Sequence, residues 1–462
     1  MSGERFDVII VGAGPAGIFA ALELTQKHPA LRILMMEKGG SIEERACPLK
    51  TKAVSCVACP ECALLSGWGG AGAYSDGKLS LSRFVGGNLA RHVGDSALDS
   101  LIREADAAYI QFGAPGVVHG LPDENLRSLQ ELAARNELAL VESPVRHIGT
   151  DVCFDVLTRM KEHLGGRVEM LFRCGAASII VENGRAQGVQ ACNGRRFTAD
   201  YVVLAPGREG SRWLDEEAAR LGLTRLTNPV DIGVRVELPA AVMEHLTSVT
   251  YEPKLIYRTR RFDDQVRTFC VNPYGEVVKE HLKDVWTVNG HSYAGRTSGN
   301  TNFALLVSTT FTEPFDEPIQ YGRHIAQLAN FLGRGVIVQR LGDLQHGRRS
   351  TRERIDRGLV RPTLADATPG DLSFVLPYRH LADIMEMLEA LDRIAPGVNS
   401  RHTLLYGVEV KFYSRQFRLS ETLETEIPGL FAAGDGAGVS RGLIQASASG
   451  MVAAREILAR IN

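Results

Sequence analysis

The chain of 462 residues has no excess of charge of either sign, its formal balance being −2 at pH 7. Neither nucleic acid nor an anionic membrane surface is therefore expected as its main partner. No low-complexity tract and no fixed-period repeat occurs, so solenoids and tandem arrays are excluded. The most apolar stretch, residues 6–24, could pass for a signal core or a membrane span, but Asp7 and Glu23 fall inside a span's length. The opening MSGERF also lacks a clean basic segment. A cytoplasmic protein with no membrane span is expected. What is present is an ordinary globular composition, 44% hydrophobic and 23% charged. At this length it should form two or three domains.

Residues 6–37 give the chain its organisation. Phe6–Val11 is an apolar, β-branched run of strand length. Gly12, Gly14 and Gly17 follow in G-x-G-x-x-G spacing, then an Ala-rich helical stretch, then a second apolar strand, Ile33–Met36, ending at Glu37. This is a complete βαβ dinucleotide fingerprint. Gly12 makes the tight turn, Gly14 lets the backbone approach a pyrophosphate, and Gly17 lets the helix pack closely. The helix N-terminus, with Pro15 and Ala16, faces the phosphates, and Glu37, followed by Lys38, can accept hydrogen bonds from ribose hydroxyls. No second G-x-G-x-x-G follows a strand later in the chain. A separate nicotinamide-nucleotide domain is therefore not evident.

Further along, 67–80 is glycine-rich, and Gly69, Gly70 and Gly72 permit a planar ligand to lie close to the backbone. Residues 95–112, 123–138 and 151–164 read as helices. From Val168 the pattern turns to short strands, ending in YVVLAPG, where Ala205 and Gly207 mark a sharp turn after a buried strand. Residues 228–311 alternate in the manner of an antiparallel sheet. Helices are expected near 318–333 and 379–394. Composition then returns to α/β: Leu404–Val410, Gly429–Ala433, GDGAGVSRG, and a helix from about Leu443.

The separated pieces Gly12–Glu37, Tyr201–Gly207 and Gly429–Gly436 resemble the FAD-binding domain of glutathione-reductase-type flavoproteins. The resemblance implies that Gly434 and Asp435 hold the ribityl and pyrophosphate region. It also implies that Arg441, Gly442, Leu443 and Ile444 open a helix aimed at the flavin's pyrimidine edge, where its dipole would stabilise negative charge on reduction. The segments ACPLKTKAVSCVACPEC, GWGGAGAYSDGKL, DIGVRVELP, RTFCVNPYGEVV, NGHSYAGR, LLYGVEVKFYSR and GLFAAGDGAGVSRGLIQASASG are similar to signatures of a broad family of FAD-dependent dehydrogenases. Relatives often carry a second cysteine and Gly-Gly where this chain has Asn272, Tyr274 and Gly275.

Of eight cysteines, Cys47, Cys56, Cys59 and Cys62 fall within sixteen residues, spaced C-x8-C-x2-C-x2-C. Four thiolates on a short loop can converge on an iron–sulfur cluster or zinc. A flavin-coupled disulfide and free thiols are the other readings. Arginines 348, 349, 352, 354, 357 and 361 crowd another stretch and read as a solvated loop or an anion grip. Lys78, His291, Tyr293 and Lys411 are polar residues in segments expected near the flavin and are the candidate catalytic groups. Lys411 alternates with Glu409 and Tyr413, so the three share one strand face.

The fold expected is α/β: a discontinuous Rossmann-like FAD-binding domain, 1–225 and 401–462, with the cysteine-rich loop at 45–80. An inserted, mainly antiparallel β domain with helices occupies 226–400. The function expected is that of an FAD-dependent oxidoreductase acting on a small organic substrate. A nicotinamide or a protein is the possible electron donor. A flavin monooxygenase and an electron-relay flavoprotein with a protein partner are the alternatives.

Overall fold

The computed structural model describes residues 4–48, 59, 61–75, 77–282, 285–292, 297–312, 314–315 and 317–461. By internal contacts the chain divides into two units. The first comprises 1–118, 143–228 and 414–462, and the second 119–142 and 229–413.

The first unit is built on a seven-stranded sheet. Its parallel part runs Val168–Leu171, Ile33–Met36, Glu4–Val11, Arg196–Leu204, with Leu430–Ala432 parallel to the far end of the last. The hairpin of Ala176–Glu182 and Arg185–Ala191 extends it in antiparallel fashion. Strands Ile33–Met36 and Leu430–Ala432 are buried at every position, as parallel strands covered on both faces must be. Helices Pro15–Lys27 and Leu443–Ile461 are both rich in small residues, and they touch: a Cβ on Gly450 would stand 1.9 Å from the carbonyl oxygen of Ala16. The fingerprint and the closing helix thus belong to one unit despite their separation in sequence.

The second unit carries an eight-stranded sheet. Its order is Thr368–Pro369, Ile337–Arg340, Leu404–Lys411, Val230–Pro239, Asn300–Thr309, Gln265–Asn272, Lys254–Arg258, Leu138–Val141. Every pairing but that of Thr368–Pro369 is antiparallel. Glu276–Leu282 and Val285–His291 form a separate hairpin. Helix Tyr378–Asp392 buries Leu381, Ile384, Leu388 and Leu391, the face its spacing predicts.

Two segments lie elsewhere than the sequence suggests. Leu404–Lys411 reads as part of the returning α/β half, yet it pairs with Val230–Pro239, setting Lys411 opposite Asp231 and Leu404 opposite Glu237. Its residues are apolar from Leu404 to Val408 and buried through Val410, a pattern that fits a central strand of either sheet. Residues 119–142 join the second unit because Leu138–Val141 pairs with Lys254–Arg258. The arginine-rich stretch is organised by one buried carboxylate. Asp343 accepts from Arg348 at 2.9 Å and Ser350 at 2.8 Å, with Arg354 and Arg340 at 3.8 and 4.0 Å.

Candidate functional site

The ends of the parallel strands in the first unit open on a cleft of about 450 Å³. The three fingerprint glycines stand in it differently. Gly12 has φ +106°, and a Cβ there would lie 2.2 Å from the Ala205 carbonyl oxygen, so the turn admits no side chain. A Cβ on Gly17 would lie 2.0 Å from the Gly12 oxygen, which is the close helix-to-strand packing. Gly14 differs: a Cβ there meets only Gly70 Cα, at 4.0 Å. Its surface is bare and turned to the cleft. Helix Pro15–Lys27 starts from Gly14 with no side-chain cap, so its first amides remain available to an anion.

Glu37 lines the cleft but is only 7% exposed. Its carboxylate accepts from three backbone amides, Ala13 at 2.9 Å, Gly39 at 2.8 Å and Gly67 at 2.9 Å. It therefore ties the fingerprint loop, its own turn and the glycine-rich segment to one point. Oε1 takes the Gly39 and Gly67 amides and Oε2 takes that of Ala13, so Oε2 retains lone-pair capacity for a ribose hydroxyl. The glycine-rich segment is fixed further by Gly69, whose amide donates to Ala13 O at 2.8 Å, and by Trp68, fully buried, whose indole donates to Leu157 O at 2.8 Å.

Arg45, which sequence reasoning missed, holds this segment from below. Only 6% exposed, it donates to the carbonyls of Ala63, Leu64, Trp68 and Gly70 at 2.6–3.0 Å. Burial pulls its pKa below the usual guanidinium range. No spacing rule marks an arginine that caps carbonyls, so nothing in the sequence singled it out.

The opposite wall comes from the chain's far end. Gly434, with φ +76°, donates its amide to Ser449 Oγ at 2.9 Å. Asp435 accepts from Ser440 at 2.6 Å and sits 3.5 Å from Arg208. A Cβ on Gly436 would lie 2.6 Å from Gly207 O, so these two turns are in backbone contact. The Arg441 amide donates to Gly86 O at 2.7 Å, and the helix from Leu443 begins at the cleft.

Of the residues expected to hold the cofactor, Gly12, Gly14, Pro15, Ala16, Glu37, Lys38, Gly70, Gly72, Ala205, Gly207, Gly434, Asp435, Arg441, Gly442 and Leu443 line this one cleft. Gly17, Gly69 and Ile444 stand behind its wall. Ser66, Cys192, Arg208, Glu209 and Trp213 also line it and were not foreseen. Arg208 and Glu209 directly follow the Ala-Pro-Gly turn, a usable signal; Cys192 and Trp213 carry none.

Of the candidate catalytic groups, Lys78 is in the wall. His291 and Lys411 end strands of the second unit, and Tyr293 lies outside the described residues. Among the cysteines expected to bind metal, Cys47 and Cys62 are half-buried and Cys59 is exposed. Cys56 lies outside the described residues. No group of three or more His, Cys, Asp or Glu able to hold a metal occurs among the described residues, so Cys47, Cys59 and Cys62 do not converge.

Two family models meet where the structure passes from one unit to the other at 228/229. Residues 6–224 match a family model described as pyridine nucleotide-disulphide oxidoreductase, and residues 229–412 match FAD-dependent protein, C-terminal domain-like. Residues 367–462 also match the model of glucose inhibited division protein A. An uncharacterised protein of Clostridium beijerinckii is 28% identical over 479 residues, covering 98% of this chain and 81% of its own length. Among solved structures, Aspergillus oryzae formate oxidase is similar with TM-score 0.46 and 13% identity, over 100% of this chain and 99% of that one. For E. coli quinol fumarate reductase FrdA the values are 0.44 and 14%, over 100% of this chain and 71% of that one. L-proline dehydrogenase from P. horikoshii gives 0.39 and 11%, over 99% and 95%. No helix among the described residues is long and apolar enough to cross a membrane.

Proposed function

Because the chain belongs to the FAD-dependent pyridine nucleotide-disulphide oxidoreductase family, we propose that the cleft holds FAD and that the protein transfers a hydride between flavin and a small organic substrate. The bare surface at Gly14 carries this reading, since a side chain fits there sterically and would fill only space that a ligand needs. Bound in the cleft, FAD supplies the two-electron chemistry of the reaction.

The chain's own residues have separable tasks. The uncapped amides after Gly14 would neutralise the pyrophosphate. Glu37, pinned by three amides, would present the remaining lone pair of Oε2 to a ribose. Gly434 and Asp435 would hold the ribityl and pyrophosphate portion. The N-terminal end of helix Leu443–Ile461 would stabilise negative charge on the flavin during reduction. Lys78 offers a cation to the same cleft. The four-cysteine stretch takes no step in this scheme, because its described members supply no assembled donor set.

Denaturing the purified protein and identifying the released ligand tests the proposal. FAD in near-stoichiometric amount is expected. NAD alone, with no yellow chromophore, would overturn it.

A further inference from the structure

The central strand of the second sheet, Val230–Pro239, is buried on both faces but for opposite reasons. Val230, Ile232, Val234, Val236 and Leu238 enter the apolar core. The alternate positions are Asp231, Gly233, Arg235 and Glu237, all at most 1% exposed where charged. A charged face under cover requires its own compensation.

That compensation is nearly complete but uneven. Asp231 accepts from Arg267 at 2.5 Å, Tyr413 at 2.5 Å and Ser308 at 2.6 Å. Glu409, wholly buried, pairs with Arg235 Nε at 3.3 Å and Lys411 Nζ at 3.0 Å. Arg235 donates to Cys270 O at 3.0 Å and, more distantly, to Asn289 Oδ1 at 3.4 Å. Among the described residues the directly paired set is therefore three cations on two carboxylates. Glu237, the next acid along, has its own donors in Tyr406, Thr363 and Asn300, and Glu280 is reached only through Asn289 at 3.2 Å.

The surplus positive charge emerges at one place. Arg267 and Lys411 are the members of the set that reach solvent, their side chains 21% and 18% exposed. Both stand over the ring of Phe269, at 4.8 and 5.7 Å from its centroid. Each has its own carboxylate, but Glu409 is shared between Lys411 and Arg235, so the described set keeps one positive charge more than it has acids. One surplus charge suits a monoanion, the planar guanidinium suits a carboxylate, and the exposed part of the Phe269 ring suits a carbon skeleton.

We infer that Arg267, Lys411 and Phe269 form a binding site for an organic carboxylate on the second unit.

Isothermal calorimetry on the flavin-loaded protein tests the site, with acetate, benzoate and succinate against their amides and against inorganic phosphate. At least one carboxylate should bind saturably and at least tenfold tighter than its amide. Arg267→Met and Lys411→Gln should each weaken it at least tenfold with flavin content retained, and Lys411→Arg should restore most of the affinity. If Arg267→Met does not fold for want of a partner for Asp231, Lys411→Gln alone decides. No carboxylate binding to flavin-loaded protein, equal binding of acid and amide, tighter binding of phosphate, or undiminished binding by Lys411→Gln would each overturn the inference. Absence of FAD in the parent would instead overturn the reading of the preceding section.

Discussion

Gly450 and Ala16 meet backbone to backbone: a Cβ on the glycine would sit 1.9 Å from the alanine's carbonyl oxygen. The fingerprint helix and the closing helix are therefore one packing unit, and the cleft's two sides are set by this contact. Gly450→Val should push the helices apart, with overpacking costing about 1–3 kcal/mol or more. Thermal unfolding followed by circular dichroism should move down by several degrees, with flavin content falling in the same preparation. A variant of parental stability and flavin content would contradict the contact's importance.

Gly14 and Gly17 should fail in different ways. Gly14→Val has room in the folded chain, so soluble protein with a near-parental melting temperature and little flavin is expected. Gly17→Val collides with Gly12 O and should lower the melting temperature whether or not flavin is present. Visible flavin absorbance and a melting curve on each variant separate the two.

His380 gives the second unit a pH signature. It is 4% exposed and accepts or donates one hydrogen bond with Thr309 at 2.9 Å. Burial, aided by Arg379 and opposed by Asp264, lowers its pKa to about 4. The folded ring stays neutral while the unfolded one protonates near 6.5, so stability present above 6.5 is lost as pH falls toward 4. That interval is worth about 3 kcal/mol at most. Neighbouring Asp383, raised to about 6 chiefly by burial, contributes in the opposite sense: its stabilisation is present below about 4 and lost as pH rises through 6. His380→Gln leaves the Asp383 contribution in place. The variant should therefore lose less stability than the parent between pH 6.5 and 4.5 in denaturant titrations. Parallel curves would refute the assignment.

Arg146 and Asp106 form a two-pronged ion pair at 2.6 and 2.7 Å, with the arginine side chain 4% exposed and a third bond to Pro115 O at 2.6 Å. Arg146→Met strands the carboxylate and should cost about 3–5 kcal/mol. Arg146→Met combined with Asp106→Leu should recover much of that loss. Melting temperatures of the single and double variants check it.

The glycine fingerprint is legible in the sequence because its constraints are local: Gly12 needs a positive φ, and Gly17 needs the absence of a side chain. The alternation in DIGVRVELP is legible for the same reason, since strand period puts Asp231, Arg235 and Glu237 on one face. Which sheet receives Leu404–Lys411 is not legible, because an apolar run states that it is buried and not what it pairs with. Arg45 escapes notice because its partners are carbonyls, which every residue has. For the four cysteines, thiol spacing suggests a ligand set, and the described members Cys47, Cys59 and Cys62 form no group able to hold a metal, while Cys56 lies outside the described residues. The alternation of Lys411 with Glu409 is legible as a shared strand face, and the structure pairs them, Nζ to Oε1 at 3.0 Å.

The route of the chain sets an order of assembly during synthesis. It passes between the two units four times, at 118/119, 142/143, 228/229 and 413/414, and the segments that close the first unit, strand Leu430–Ala432 and helix Leu443–Ile461, are translated after the second unit is complete. With domains folding as units during translation, the second sheet can form on the ribosome while the fingerprint sheet still lacks an edge and a helix. The nascent chain must carry the Val202–Leu204 end of strand Arg196–Leu204 without its Leu430–Ala432 partner through that interval. The wall formed by Gly434 and Arg441 arrives last of all, so the cleft can be filled only after the ribosome has made it.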